Sequence, residues 1–161
     1  MMSIRNIKAS CILEEKVDTL SKNYIFKQDN VVYTIYPHYR NLVNVTGIKS
    51  FQQLETAKKN IESQLKKRVI KVRIDNTFFS KKNYKNMDMS KLYKFMQNNP
   101  MFHVDYNIEL FAGMYLKPRI SGYPTILFFR TGSYTLMGAK KKDILLECQI
   151  FVDNIIFMFN R

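Results

Sequence analysis

The chain has 161 residues, 46% of them hydrophobic and 14% aromatic, enough apolar side chains to build a packed core and too many for a disordered chain. Lysine and arginine number 26 against 13 aspartates and glutamates, a formal net charge of +13. Such a field draws phosphate polymers or anionic surfaces, while the same residue usage also fits an AT-rich genome, so only clustering of the charge is informative.

In chain order, residues 4–13 read as a strand and Glu14 to Ser21 as a short helix. Thr34-Ile35-Tyr36 and Val45-Thr46-Gly47 are strand-like, and Ser50 to Leu65 follows as a helix. Ser50 is its N-cap, and Leu54, Ala57, Ile61 and Leu65 share one face. Val69 to Ile74 alternates as a strand, and Asp88 to Met96 reads as a short helix. Extra length occupies Asn99 to Lys117. Gly122 to Lys140 is a hairpin around Arg130-Thr131-Gly132, and Asp143 to Phe159 is a last helix with Leu145, Cys148, Val152 and Ile156 in helical phase. The hairpin has two greasy faces: Leu127 and Phe129 cannot share a side with Ile126 and Phe128.

An internal repeat organises these elements. Laying Gly47 on Gly138 sets an offset of 91 residues that holds without a gap. Thr34-Ile35 falls on Thr125-Ile126, Val45-Thr46-Gly47 on Leu136-Met137-Gly138, and Leu54, Ala57, Ile61 and Leu65 on Leu145, Cys148, Val152 and Ile156. Each half therefore ends in strand, turn, strand, a Gly-x-Lys corner and a helix. The expectation is one domain over 1–161, with a shortened first pseudo-repeat at 4–66 and a second at 69–159. Two long helices suffice to cover one face of a sheet, and no segment remains for the other.

Glu109-Leu110-Phe111-Ala112-Gly113, Lys117-Pro118-Arg119, Thr125 to Gly132 and Leu136 to Lys140 resemble the second repeat of the TATA-box-binding protein (TBP) family, which runs ELFPG, KPR, an apolar strand, a Ser-Gly turn and LTGAK. Asn6-Ile7 and Val45 to Ser50 resemble its first repeat. The resemblance implies an α+β, TBP-like saddle: two pseudo-repeats forming one curved antiparallel sheet, with helices on the convex face and the concave face on the DNA minor groove. That groove is read largely by shape and width, which suits apolar and short polar side chains.

By the same resemblance Phe111 and Phe129 stand where the family has an intercalating pair. Thr125, Leu127, Thr135 and Met137 would line the groove-facing side, and Lys117, Arg119 and Lys140 would reach phosphates. Met137 and Ser133 depart from the family's Thr and Lys. In the first repeat Asn6 matches a central asparagine that bonds base edges, with Val72 as its counterpart, and Thr46 is kept. Lys8 and Asn44 replace apolar residues, His38 falls on Phe129 by the offset, and Phe26 is the one candidate remnant of a first-repeat aromatic pair. Glu109 and Leu110 fall at the family's docking loop for TFIIB. Lys58, Lys59, Lys66 and Lys67 fall on a convex helix where family members bind regulators or upstream DNA; unaided by the family, they read as a solvated helix face.

Catalysis finds no support in the sequence. His38 and His103 lack metal-ligand spacing, no Gly-rich phosphate loop or nucleophile triad stands out, and no metal, cofactor or small-molecule substrate is expected. Cys11 and Cys148 are far apart, pointing to a reduced intracellular protein. No apolar run reaches the ~20 residues of a spanning helix, so no membrane partner is expected. The expected partners are double-stranded, AT-rich promoter DNA, a TFIIB-like factor and RNA polymerase machinery. The shortened repeat and biased composition suit a large DNA virus, hence action in a host nucleus or viral transcription compartment. The alternative is a TBP-fold adaptor that works mainly through protein contacts and binds DNA weakly or without specificity.

Overall fold

Strand alternation with a period of two places every second side chain on one face. The computed structural model describes residues 2–161, with side chains from Asn6 onward, and its alternating stretches are strands. The order is β1 (Met2–Leu13), β2 (Tyr24–Gln28), β3 (Val31–Ile35), β4 (Leu42–Ile48), α1 (Gln52–Leu65), β5 (Val69–Lys81), α2 (Met89–Gln97), β6 (Phe102–Asp105), β7 (Met114–Pro118), β8 (Thr125–Phe128), β9 (Tyr134–Met137) and α3 (Lys142–Phe159). The strands form a nine-stranded sheet in the order β2-β3-β4-β1-β5-β9-β8-β7-β6. The chain divides into an N-terminal unit, Asn6–Asn76, and a C-terminal unit made of Thr77–Arg161 with the start of β1.

In the N-terminal unit Ile7, Ala9, Cys11 and Leu13 of β1, Tyr33 and Ile35 of β3, and Val43 and Val45 of β4 are buried, as are Ala57 and Ile61 of α1. The Asn60 amide of α1 donates to the Tyr33 hydroxyl at 3.2 Å, so α1 lies on this face. Ser50 Oγ accepts from the Gln53 amide at 3.3 Å, although the helix itself begins at Gln52. The β2–β3 turn holds Asp29 and Asn30 at positive φ, the geometry of a tight hairpin. Gly47 has φ +89°, and a Cβ there would lie 2.8 Å from the Asn30 carbonyl oxygen.

Two expectations fail in this unit. Glu14 to Ser21 is irregular rather than helical, because its backbone bonds elsewhere: the Glu14 amide donates to Arg68 O at 2.9 Å and the Val17 amide to Arg40 O at 2.9 Å. Phe26 is no groove wedge. It pairs across the strands with Tyr33 and stacks on that buried ring at 4.6 Å, so it belongs to the helix-covered face.

In the C-terminal unit Phe79, Met114, Leu116, Ile126, Phe128, Tyr134 and Leu136 are buried, as are Leu145, Cys148, Val152, Ile155 and Ile156 of α3. Tyr134 donates its hydroxyl proton to Asp153 at 3.0 Å, and Lys81 reaches the same carboxylate at 3.2 Å, which fixes α3 over this face. β5 runs to Lys81, seven residues beyond the expected Ile74, because Thr77 and Phe79 continue the buried alternation and 78–81 pair with β9. Asp88 caps α2 by accepting from the Lys91 amide at 3.2 Å, and that bond holds its carboxyl below the usual range.

Strand pairing also fixes how the repeats correspond. β4 and β9 keep the offset of 91, but Ala9 lies opposite Val45 and Phe79 opposite Leu136, so β1 falls on β5 with an offset of 70. The N-terminal unit is thus 21 residues shorter between these strands, and it has no counterpart of α2 and β6. The new offset lays Asn6 on Asn76 and Ser10 on Ser80, which corrects the expected partner of Asn6 from Val72 to Asn76.

Replacing Gly47 with Ala should lower unfolding free energy by about 1–3 kcal/mol, since the position needs positive φ and the new methyl meets a backbone oxygen; urea titration measures it. Burial pushes the Cys11 thiol up to about 11 and the Cys148 thiol up to about 12. Both should resist alkylation at pH 8 until the protein unfolds. Their contribution to stability should be complete below the unfolded thiol pKa of 9.0 and fall away as pH rises towards those folded values.

Candidate nucleic-acid interface

Turning Ile126, Phe128, Tyr134 and Leu136 towards α3 forces the alternate set outwards. Thr125 lies opposite Met137 and Leu127 opposite Thr135. Met137 in turn faces Phe78 and Thr135 faces Ser80 on β5, while Leu127 faces Tyr115 on β7. The result is a continuous open face of apolar and short polar side chains in the C-terminal unit, half-buried at Thr125, Leu127, Thr135 and Met137.

Phe111 and Phe129 come together at one end of this face. Their ring centroids are 6.0 Å apart in an edge-on arrangement, and Tyr115 stacks on Phe111 at 5.8 Å. Gly113 makes this possible. A Cβ there would stand 2.7 Å from Leu127 Cδ1 and from Phe111 Cε1, and 3.1 Å from Phe129 Cε1. Phe111 is nonetheless 45% exposed. A large ring held by neighbours yet open to solvent is suited to enter a stack of flat groups.

Lys117, Arg119 and Lys140 are exposed; Lys117 Nζ lies 3.5 Å from Asp105 and 5.9 Å from the Tyr115 ring centre. Glu109 and Leu110 stand on the β6–β7 turn. Asn107 organises it, its carbonyl accepting from the Leu110 and Phe111 amides at 3.0 and 2.9 Å and its side chain from the Glu109 amide at 3.2 Å. Leu110 projects with 84% of its surface exposed.

The N-terminal unit presents a different open face. Thr34 lies opposite Asn44, and Val32 opposite Thr46, all half-buried. Asn6 Oδ1 accepts from the Gly47 amide at 3.0 Å, so its carbonyl oxygen serves the β-bulge beside Ile7 and leaves Nδ2 as its donor. His38 sits in the β3–β4 turn, off the strand, and supplies no twin to Phe129. On α1 Lys59 is exposed and Lys58 half-buried; just past its end Lys66, the left-handed C-cap, is exposed and Lys67 pairs with Glu15 at 3.2 Å. Among the described residues no cluster of His, Cys, Asp or Glu is placed to hold a metal ion, and no helix is long and apolar enough to cross a membrane.

No family model matches the chain, and no curated protein sequence does. Among solved structures, Methanococcus jannaschii TBP superposes with a TM-score of 0.66 at 18% identity, covering 96% of this chain and 97% of that one. The chain has the TBP fold. On that fold, Asn76, Phe78, Ser80 and Tyr115 join the open faces although sequence reasoning passed over them. The signal was present in Asp75-Asn76-Thr77-Phe78-Phe79-Ser80, which matches Arg5-Asn6-Ile7-Lys8-Ala9-Ser10 at its Asn and Ser, and the fixed offset of 91 hid it.

Gly113→Ala should displace the rings of Phe111 and Phe129 with little backbone strain. The expected outcome is altered aromatic proton shifts for both residues, with a stability loss of about 1–3 kcal/mol.

Proposed function

We propose that the chain is a TBP-like transcription initiation factor that binds the minor groove of AT-rich promoter DNA. The observation that carries this reading is the open face of the C-terminal unit, with Phe111 and Phe129 clustered at its end around Gly113. Thr125, Leu127, Thr135, Met137 and Phe78 offer apolar contact to a groove floor that has few donors. The two rings insert at a base step. Unstacking it costs a few kcal/mol, offset by the surface that a bent duplex wraps.

Lys117, Arg119 and Lys140 take the bordering phosphates, and Asn76 and the Asn6 Nδ2 group reach base-edge acceptors. Among the described residues the open face of the N-terminal unit carries no counterpart of the Phe111–Phe129 pair, its stacked rings Phe26 and Tyr33 lying on the helix-covered face, so the duplex is kinked by one wedge rather than two. Leu110 and Glu109, on their ordered turn, form the handle for a TFIIB-like factor and so for the polymerase; Lys59 on α1 and Lys66 at its C-cap are the positions open to a regulator. A reading as a protein adaptor with weak DNA binding draws on the N-terminal unit, where Lys8 stands in the place of Phe78 and Asn6 spends its carbonyl on Gly47.

Measuring affinity and bending on AT-rich and GC-rich duplexes separates the two. Wild type should prefer and bend the AT-rich duplex, and Phe111→Ala/Phe129→Ala should lose the bend and about 10–100-fold in affinity. A double variant that bends and binds like wild type would overturn the groove mechanism. Lys117→Ala and Lys140→Ala should each weaken binding across sequences and lower the salt slope by about one.

A further inference from the structure

The outer face of α3 carries a row of large apolar residues with no cover in the described structure. Leu146, Ile150 and Phe157 are spaced to fall on one side of the helix, and Met158 adjoins them. They are 45%, 63%, 88% and 56% exposed. The fold does not require an apolar row here, because the duplicated helix α1 has Glu55 and Lys59 at the positions 91 residues before Leu146 and Ile150, and it ends at Leu65, before the positions that match Phe157 and Met158. One copy of the helix has a solvated charged face and the other an apolar one, the pattern of a contact surface.

The surroundings indicate what covers it. Beside Phe157 runs a groove of about 470 Å³ bordered by Lys81, Lys85, Asp153 and Asn160. Beside Met158 a smaller one of about 130 Å³ is bordered by Asp88, Lys91, Phe159 and Arg161. The two carboxylates are already paired, Asp153 with Lys81 at 3.2 Å and Asp88 with Arg161 at 3.6 Å. Lys85 and Lys91 enter no ion pair among the described residues. The exposed Phe157 and Met158 thus stand between two grooves with surplus positive charge, while Glu147 is exposed nearer the start of the helix.

We infer that this face of α3 is a docking surface for an acidic, amphipathic protein segment, whose apolar side chains cover Ile150 and Phe157 and whose carboxylates reach Lys85 and Lys91. A second copy of the chain is disfavoured by the repulsion of two +13 charges. A uniformly anionic bilayer would set its headgroups against Glu147 as well as over the lysines, whereas a discrete segment can place its charges over the lysines alone. The surface is separate from the open sheet face proposed for DNA, so either reading can fail without the other.

The test uses the full chain and a fluorescent synthetic peptide that is helical, with a Leu/Phe face flanked by Glu and Asp. Anisotropy should show saturable binding to wild type. Ile150→Ser/Phe157→Ser and Lys85→Glu/Lys91→Glu should each weaken it about tenfold or more, with thermal melts unchanged because all four side chains lie outside the core. A peptide with Lys in place of the acids should not bind. Absence of binding to wild type, equal binding by the apolar double variant, or association with phosphatidylserine vesicles in place of the peptide would each overturn the inference.

Discussion

A β-sheet has two faces, and each unit of this chain has one long helix that covers one of them. Everything else depends on which alternate set of side chains that helix takes. In the C-terminal unit, Tyr134 and Asp153 tie α3 to the set that includes Ile126, Phe128 and Leu136. Leu127, Phe129, Thr135 and Met137 are then committed to the open side, because a slip of one residue would exchange the two sets entirely. The N-terminal unit repeats the device through Tyr33 and Asn60. An open, partly apolar face is costly in water, and its persistence in a folded chain is intelligible when a ligand covers it.

Duplication supplies an internal comparison for each feature. The two helices keep equivalent buried positions, Ala57 and Ile61 against Cys148 and Val152, yet differ on their outer sides. The sheet halves likewise share a buried set and diverge on the open one, where Lys8 stands in place of Phe78. Packing constrains the shared positions: a core at crystal-like density tolerates little change of volume. The 21-residue difference in length between the two units belongs to the same asymmetry, since α2 and β6 extend only the C-terminal unit.

Much of this was legible in the residues. The hairpin from Gly122 to Lys140, both long helices, and α2 carry strong local signals, and the motif around Phe111 led to the fold that the Methanococcus jannaschii TBP superposition supports. Glu14 to Ser21 misled because its composition allows a helix, whereas the backbone carbonyls of Arg68 and Arg40 accept hydrogen bonds from the Glu14 and Val17 amides. Phe26 misled because an edge-strand aromatic can belong to either face, and only its pairing with Tyr33 assigns it.

The sequence by itself determined the period of the two long helices and of the Gly122–Lys140 hairpin and the existence of a second greasy face, since these are local properties of side-chain spacing, and the repetition of that spacing 91 residues apart showed the duplication. Only the tertiary structure decided the register. Val45 opposite Ala9 and Leu136 opposite Phe79 reveal the second offset and bring Asn76 into equivalence with Asn6, while the pairing of β7 with β8 sets Tyr115 opposite Leu127, where Phe111, Leu127 and Phe129 surround Gly113 and Tyr115 stacks on Phe111. Those residues come from different strands and a loop. Their meeting depends on hydrogen-bonded pairing between distant segments, which no local periodicity encodes.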